Sequence, residues 1–316
     1  MIPMKQPLII LAGPTASGKT ALSVALAKRF SMEIISADSM QVYRGMDIGT
    51  AKVTPEEMEG VPHHLIDIRD PKEEWNVMEF CRLGEEKIRE IGDRGHVPLL
   101  VGGTGFYIHA LAYGAEFEEE EGTEARRLLE QLPTEELFQK LTEMDPDSAL
   151  VIHPNNRKRV IRAIEYALHT GKPISELNTQ LRAKESPYDL LFLVLDTPRA
   201  LLYERIDRRV DQMVQGGLVE EVKALSDAGC TREMVSMKGL GYKEILAYLA
   251  GECTFEEAIY VLKRDTRHFA KRQITWMKRE KDAVFVPVLP YETLTERTAG
   301  LVEQFLCSGH AGVEKK

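Results

Sequence analysis

The stretch LIILAGPTASGKTALSVALAKRF, residues 8 to 30, constrains the fold more than any other part of the chain. A short apolar run, a glycine-bounded loop closing on lysine and threonine, and apolar residues at helical spacing read as strand, loop and helix. Gly13, Gly18, Lys19 and Thr20 satisfy G-x-x-x-x-G-K-[ST] in that setting. The loop running through Pro14, Thr15, Ala16 and Ser17 turns backbone N–H groups inward around a phosphate, and the positive end of the following helix adds to the attraction. Lys19 supplies a point charge and Thr20 a hydroxyl for Mg²⁺. The motif speaks strongly for phosphate binding and weakly for the reaction. The same cradle holds a phosphate to be transferred or a diphosphate about to leave.

From residue 1 to about 113, apolar runs (LIILAG, EIISAD, VPLLVGGTG) alternate with helical patterns (ALSVALAKRF, VMEFCRLGEEKIREI). That alternation predicts an α/β domain with a parallel sheet flanked by helices, of the P-loop NTPase-like kind. EFEEEE, residues 116 to 121, breaks it and is expected to stay in solvent. Only helix-like segments follow to residue 185, so 116–185 reads as an all-helical insertion. A strand returns at LLFLVLD, 190 to 196, and the sheet resumes; helices then run to about 281, and AVFVPV offers an edge strand carrying a proline. The core is thus expected to comprise 1–115 and 186–316.

No apolar run approaches the length of a membrane span and no signal-peptide pattern opens the chain, so a cytoplasmic enzyme is expected. Cys81, Cys230, Cys253 and Cys307 are scattered without zinc spacing, and zinc is not expected. The formal charge of −9 argues against a nucleic-acid partner, yet two stretches oppose it. RKRVIR concentrates Arg157, Lys158, Arg159 and Arg162, and KRDTRHFAKRQITWMKREK carries eight Lys or Arg against two acids. On a helix Arg264, Arg267, Lys271 and Lys278 would share one broad face able to track phosphates, with Phe269 and Trp276 interleaved for packing or stacking.

The second apolar run ends at Asp38 and continues SMQVYRGMDIGTAK. Ligands gather at the carboxyl ends of strands in an open parallel sheet, so Asp38 belongs near the phosphate loop. From position alone it reads equally as a turn or cap aspartate. Gly102, Gly103, Thr104 and Gly105 read as a tight strand-to-helix turn, and Phe106 and Tyr107 suit a core as well as a site. Arg205, Arg208 and Arg209 form either a solvated face or a clamp on phosphate oxygens.

Taken together, GPTASGKT, ISADSMQVYRGMDIGTAK, LVGGTGFY, KGLGYKE and KRQITWMKR resemble the bacterial tRNA dimethylallyltransferases, in the family's order over nearly the whole chain. The resemblance implies transfer of a dimethylallyl group from its diphosphate to N6 of the adenosine 3′-adjacent to the anticodon, with Mg²⁺ as cofactor and diphosphate as leaving group. It implies Asp38 as the base that takes the amine proton, Lys19 on the departing diphosphate and Thr104 beside the reaction centre. Residues 13 to 20, Arg209 and Arg126 would hold the diphosphate, though Arg127 blurs the choice of Arg126. For the tRNA it points to Ser39, Met40, Gln41, Lys158, Arg159, Arg162, Lys238, Gly239, Gly241, Tyr242, Lys243, Lys271, Arg272, Gln273, Trp276 and Lys278. The insertion would grip the anticodon stem-loop, the target base would be extruded into a channel, and the protein would act as a monomer.

Three rival readings share the phosphate loop. A small-molecule or nucleoside kinase would use ATP as donor. An RNA-binding NTPase could take Asp196 as a metal ligand, although LFLVLD reads as a core strand. Plant-type relatives of the same family prenylate free adenine nucleotides.

Overall fold

The computed structural model describes residues 5–114 and 124–308. Six strands, β1 (Pro7–Ala12), β2 (Met32–Ala37), β3 (His63–His64), β4 (Val97–Gly102), β5 (Asp189–Asp196) and β6 (Ala283–Pro287), form one sheet in the order β3-β2-β4-β1-β5-β6. Every pairing is parallel. The edge strand β6 ends at Pro287, where a missing N–H does least harm. The core helices are α1 (Lys19–Phe30), α2 (Pro55–Met58), α3 (Val77–Asp93) and α4 (Gly105–Tyr113). After them come α5 (Glu124–Gln131), α6 (Thr134–Met144), α7 (Pro146–Val151), α8 (Arg157–Thr170) and α9 (Ile174–Ala183). The chain then adds α10 (Arg199–Gln215), α11 (Leu218–Asp227), α12 (Tyr242–Leu249), α13 (Phe255–Met277) and α14 (Tyr291–Cys307). None of the described helices is long and apolar enough to cross a membrane.

Residues Leu8 to Ala12 of β1 are fully buried, the unbroken apolar run of a parallel strand covered on both faces. Ile9 and Leu11 join Leu193 and Val286 under Leu22 and Leu26 of α1 and Val302 and Phe305 of α14. On α3 the glycine at position 84 lets Leu111 of α4 approach; a Cβ there would lie 2.8 Å from its side chain. The chain divides into two compact units, Met1–Gly114 with Ser186–Lys316, and Ala115–Glu185. The second has its own core of Leu129, Leu137, Leu141, Val160, Ile161 and Ile164. The acidic run at 116–121 lies outside the described residues.

At the end of β2 remote from the phosphate loop, Glu33 is buried and accepts from Arg94, His64 and His96 at 2.7–3.0 Å. Burial opposes its ionisation, but those hydrogen bonds prevail and hold its pKa down to about 2. The folded value lies below the unfolded one, so this stabilisation is complete above about 4.5 and disappears as pH falls through about 2. Glu33→Ala is expected to lower unfolding free energy at neutral pH by about 2 kcal/mol, less than for a fully buried pair because Arg94 reaches water. Denaturant unfolding from pH 7 downward checks it; a gap between wild type and variant that did not close toward pH 2 would contradict the assignment.

Candidate active site

The phosphate loop leaves β1 at Gly13, where a Cβ would lie 2.8 Å from Ser17 Oγ and 3.2 Å from Leu195 Cβ. Ala16 and Gly18 take positive φ of 62° and 93°, which curls the loop into a concave nest ahead of α1. Glycine tolerates that conformation; alanine does so at a cost of about 1 kcal/mol, a local strain of the kind found at ligand sites. Lys19, the first residue of α1, folds back and donates to Gly13 O and Pro14 O, both at 2.8 Å. Burial foremost, then repulsion from Arg209, lowers its pKa to about 7, with Asp38 pulling the other way. Ser17 Oγ is buried without a partner, among the described residues, in the same nest.

Two further strand ends meet the loop. Asp38 follows β2, and its Oδ1 accepts from the backbone N–H groups of Met40 at 2.8 Å and Gln41 at 3.3 Å. Asp38 thus makes the turn after β2 and also lines a cavity. Thr104 follows β4, donates its N–H to Ala37 O and accepts from Ser39 N–H at Oγ1, each at 3.3 Å.

The cavity, about 390 Å³, lies wholly within the first unit. Thr15, Lys19, Thr20 and Arg209 stand on its phosphate side, and Asp38 and Thr104 at the ends of β2 and β4. Ile206, Val210 and Met213 of α10 and Leu262 and Phe269 of α13 give it an apolar wall. Arg209 Nη1 lies 3.5 Å from Thr15 Oγ1, and burial pushes its pKa down. Of the neighbouring arginines, Arg208 is exposed and paired with Glu204. Ser39, Met40, Gln41, Lys238, Gly239, Lys243 and Arg272 also line the cavity, the Arg272 guanidinium 5.7 Å from the Phe269 ring centroid. Asp196 does not line it; it ends β5 with an exposed side chain.

Several residues expected to contact RNA are largely buried in the fold, and two of them, Tyr242 and Gln273, line the same cavity. Tyr242 is fully buried, because its hydroxyl donates to Glu221 Oε1 at 2.6 Å. Glu221 also accepts from the N–H groups of Asp47, Ile48 and Gly49 at 2.7–3.0 Å, so α11 and α12 together hold the loop after β2. Gly241, at φ 94°, is buried at the start of α12. Gln273 is buried between the phosphate loop and the turn after β4. The Trp276 ring packs on Gly105, where a Cβ would lie 2.2 Å away, and meets His109 edge-on. Glycine at 105 is thus a docking place for a helix.

Lys271 and Lys278 are exposed, whereas Arg267 pairs with Asp207 at 2.6 Å and Arg264 with Asp265 at 2.8 Å. In the helical unit Lys158, Arg159 and Arg162 are exposed along α8, and Arg157 turns back to Thr134 Oγ1 and Leu132 O. Arg126 is bound to buried Glu165 at 3.1 Å and links α5 to α8. Sequence reasoning missed Glu221, which carries no signal beyond an acidic helix face; Lys52, in a loop whose polar sequence suits a site, is buried between Asp47, Asp67 and Tyr43 O.

A parallel sheet with a phosphate loop, two cations on one side of a partly apolar cavity and a carboxylate at a neighbouring strand end define a P-loop α/β protein. The chain belongs to the IPP transferase family, whose description it matches over residues 41–280; residues 6–73 also match isopentenyl transferase. It is 55% identical over 308 residues to the tRNA dimethylallyltransferase of Lachnoclostridium phytofermentans, covering 95% of this chain and 98% of that one. The corresponding protein of Bacillus pumilus is 49% identical over 90% of this chain and 91% of its own length. Among solved structures, the full-length tRNA isopentenylpyrophosphate transferase from Bacillus halodurans is similar at TM-score 0.76 and 44% identity, over 96% of this chain and 98% of that one. A eukaryotic dimethylallyltransferase acting on tRNA is similar at TM-score 0.83 and 30% identity, over 98% of this chain and 81% of that one.

Proposed function

We propose that the protein transfers the dimethylallyl group of dimethylallyl diphosphate to N6 of the adenosine directly 3′ of a tRNA anticodon, releasing diphosphate and forming N6-isopentenyladenosine. The observation that carries this reading is the cavity itself: cationic at Lys19 and Arg209, apolar along α10 and α13, and bearing a carboxylate at Asp38. A short branched chain between a diphosphate and an acceptor base has that same sequence of needs.

As the allylic C–O bond breaks, its electron pair goes to the diphosphate oxygen and positive charge grows on the allyl carbon. The N–H groups of residues 13 to 20, with Lys19 and Arg209, are preorganised for the departing charge. The N6 lone pair forms the new C–N bond, and the proton that N6 must lose passes to the Asp38 carboxylate. Thr104, bonded to Ser39 N–H, keeps the two acceptor-side loops together. The Thr20 hydroxyl lines the cavity beside Lys19, and no group of three His, Cys, Asp or Glu among the described residues could hold a metal. That donor set suits Mg²⁺, which keeps water and substrate oxygens as most of its ligands. Bound there, Mg²⁺ would neutralise diphosphate charge.

Exposed Lys158, Arg159 and Arg162 on α8 and Lys271 and Lys278 on α13 supply cations for the RNA backbone. Lys158 and Arg159 sit in the first turn of α8, where the helix dipole disfavours cations, so their presence speaks for an anionic partner. In this reading the helical unit grips the anticodon stem-loop, and a single chain carries both substrate sites, in the cytoplasm.

The test is incubation with Mg²⁺, radiolabelled dimethylallyl diphosphate and an anticodon stem-loop bearing adenosine 3′ of the anticodon, beside parallel reactions with AMP and with ATP. Label in the stem-loop is expected. Label in AMP alone would transfer the reading to the free-nucleotide enzymes, and phosphorylation from ATP without prenyl transfer would replace it with a kinase.

A further inference from the structure

Gln273 joins the two halves of the cavity. Its Oε1 accepts from the Thr15 N–H of the phosphate loop at 2.9 Å, and its Nε2 donates to Gly103 O in the turn after β4, also at 2.9 Å. A backbone N–H on one side and a carbonyl on the other fix which end of the amide faces which loop. No other side chain among the described residues is hydrogen-bonded to both. From Gly103 the connection runs through Thr104, whose Oγ1 holds Ser39 N–H, to the turn made by Asp38. On the other side Thr15 lies against Arg209. The helix that carries Gln273 is clamped on both flanks: Ala270 packs with Leu202 and Ile206 of α10, and Trp276 lies on Gly105.

We infer that Gln273 is a positioning residue that sets the separation between the phosphate loop and the acceptor side at Thr104 and Asp38, and is no tRNA ligand. The inference rests on the prenyl-transfer reading above. Although Gln273 lines the cavity, its side chain is only 7% exposed, and both polar ends of its amide are already engaged by Thr15 N–H and Gly103 O, which leaves little for a base to bind. Each loop keeps its own ligands without it, so its loss changes how the bound substrates meet more than how either binds. Reacting atoms must approach to about 3–3.5 Å, and a misplacement of about 1 Å costs on the order of 10²-fold in rate. Gly103 gives independent access to the same contact, because a Cβ there would lie 2.3 Å from Gln273 Nε2 and displace it.

The experiment compares wild type, Gln273→Met, which keeps volume and removes both hydrogen bonds, Gly103→Ala and the double variant. Single-turnover transfer is measured with both substrates saturating, together with separate dissociation constants for dimethylallyl diphosphate and the stem-loop, and thermal unfolding. The expected result is a rate lower by about 10²-fold in each single variant, with both dissociation constants within about 3-fold of wild type. The double variant should be no slower than the worse single one, since the hydrogen bond that Gly103→Ala breaks is among the two that Gln273→Met removes. A weakened stem-loop complex with an unchanged saturated rate would make Gln273 an RNA ligand and overturn the inference. A lower melting temperature with a normal rate per folded molecule would overturn it too, leaving a structural role. Wild type that transfers nothing would fail the functional reading itself, a result distinct from slow variants of an active enzyme.

Discussion

Asp38→Ala is expected to slow prenyl transfer at saturating substrates by about 10³-fold while the protein still binds dimethylallyl diphosphate. The exocyclic amine of adenine is a poor nucleophile, since its lone pair is delocalised into the ring, and it becomes strongly acidic once its bond to carbon begins to form. A carboxylate at the reacting nitrogen removes that proton as the charge appears. The alanine variant alone, however, conflates two losses. Asp38 Oδ1 also accepts from Met40 and Gln41 N–H groups, so alanine both removes the base and releases the turn that shapes the acceptor side. Asp38→Asn separates them, because its amide oxygen can keep both turn hydrogen bonds and its neutral group cannot take a proton. If the asparagine variant is as slow as the alanine variant in single-turnover transfer, proton acceptance is the function lost. If it transfers near the wild-type rate, Asp38 is a turn residue and the base assignment fails.

The sheet was legible in the sequence because a parallel strand buried on both faces must be apolar throughout; LIILA, EIISA and LLFLVL announce themselves. β3 was not, since two histidines carry no strand pattern and pair with β2 only because the chain is led past its edge. The phosphate side of the site was equally readable, its glycines demanded by positive φ or by close approach. The acceptor side was readable mainly by resemblance, and there the roles shift. KGLGYK suggests an RNA-facing loop, but an internal tyrosine finds its partner in Glu221, 21 residues earlier, and is drawn inside. KRQITWMKR reads as a basic face, yet Gln273 and Trp276 lie on the opposite side of that helix, against Gly103 and Gly105. Helical periodicity tells which residues share a face; it does not tell what another element brings to that face. Contacts across 170 or more residues, such as those of Gln273 with Gly103 and Thr15, leave no local pattern.

The second large effect belongs to Lys19. Lys19→Met is expected to weaken binding of dimethylallyl diphosphate by about 10²-fold at pH 7, the loss of a charge-assisted hydrogen bond in a partly buried site. The wild-type affinity should also depend on pH in a defined sense. Burial, aided by Arg209, places the Lys19 pKa in the free protein at about 7, so above that pH the free side chain is increasingly neutral. A bound diphosphate stabilises the ammonium and raises that pKa, and the complex therefore takes up a proton on forming. Affinity consequently falls as pH rises above about 7, by up to about tenfold per unit until the pKa of the complex is reached. The ligand's own ionisation works in the opposite sense at lower pH, and Lys19→Met carries that contribution unchanged, so the difference between the two profiles belongs to Lys19. Calorimetry at pH 8 in two buffers of different ionisation enthalpy reads the proton directly. Uptake by wild type and none by the variant is the expected pair. Equal uptake by both would place the titrating group elsewhere, and a pH-independent wild-type affinity would mean that Lys19 stays charged in the free protein despite its burial.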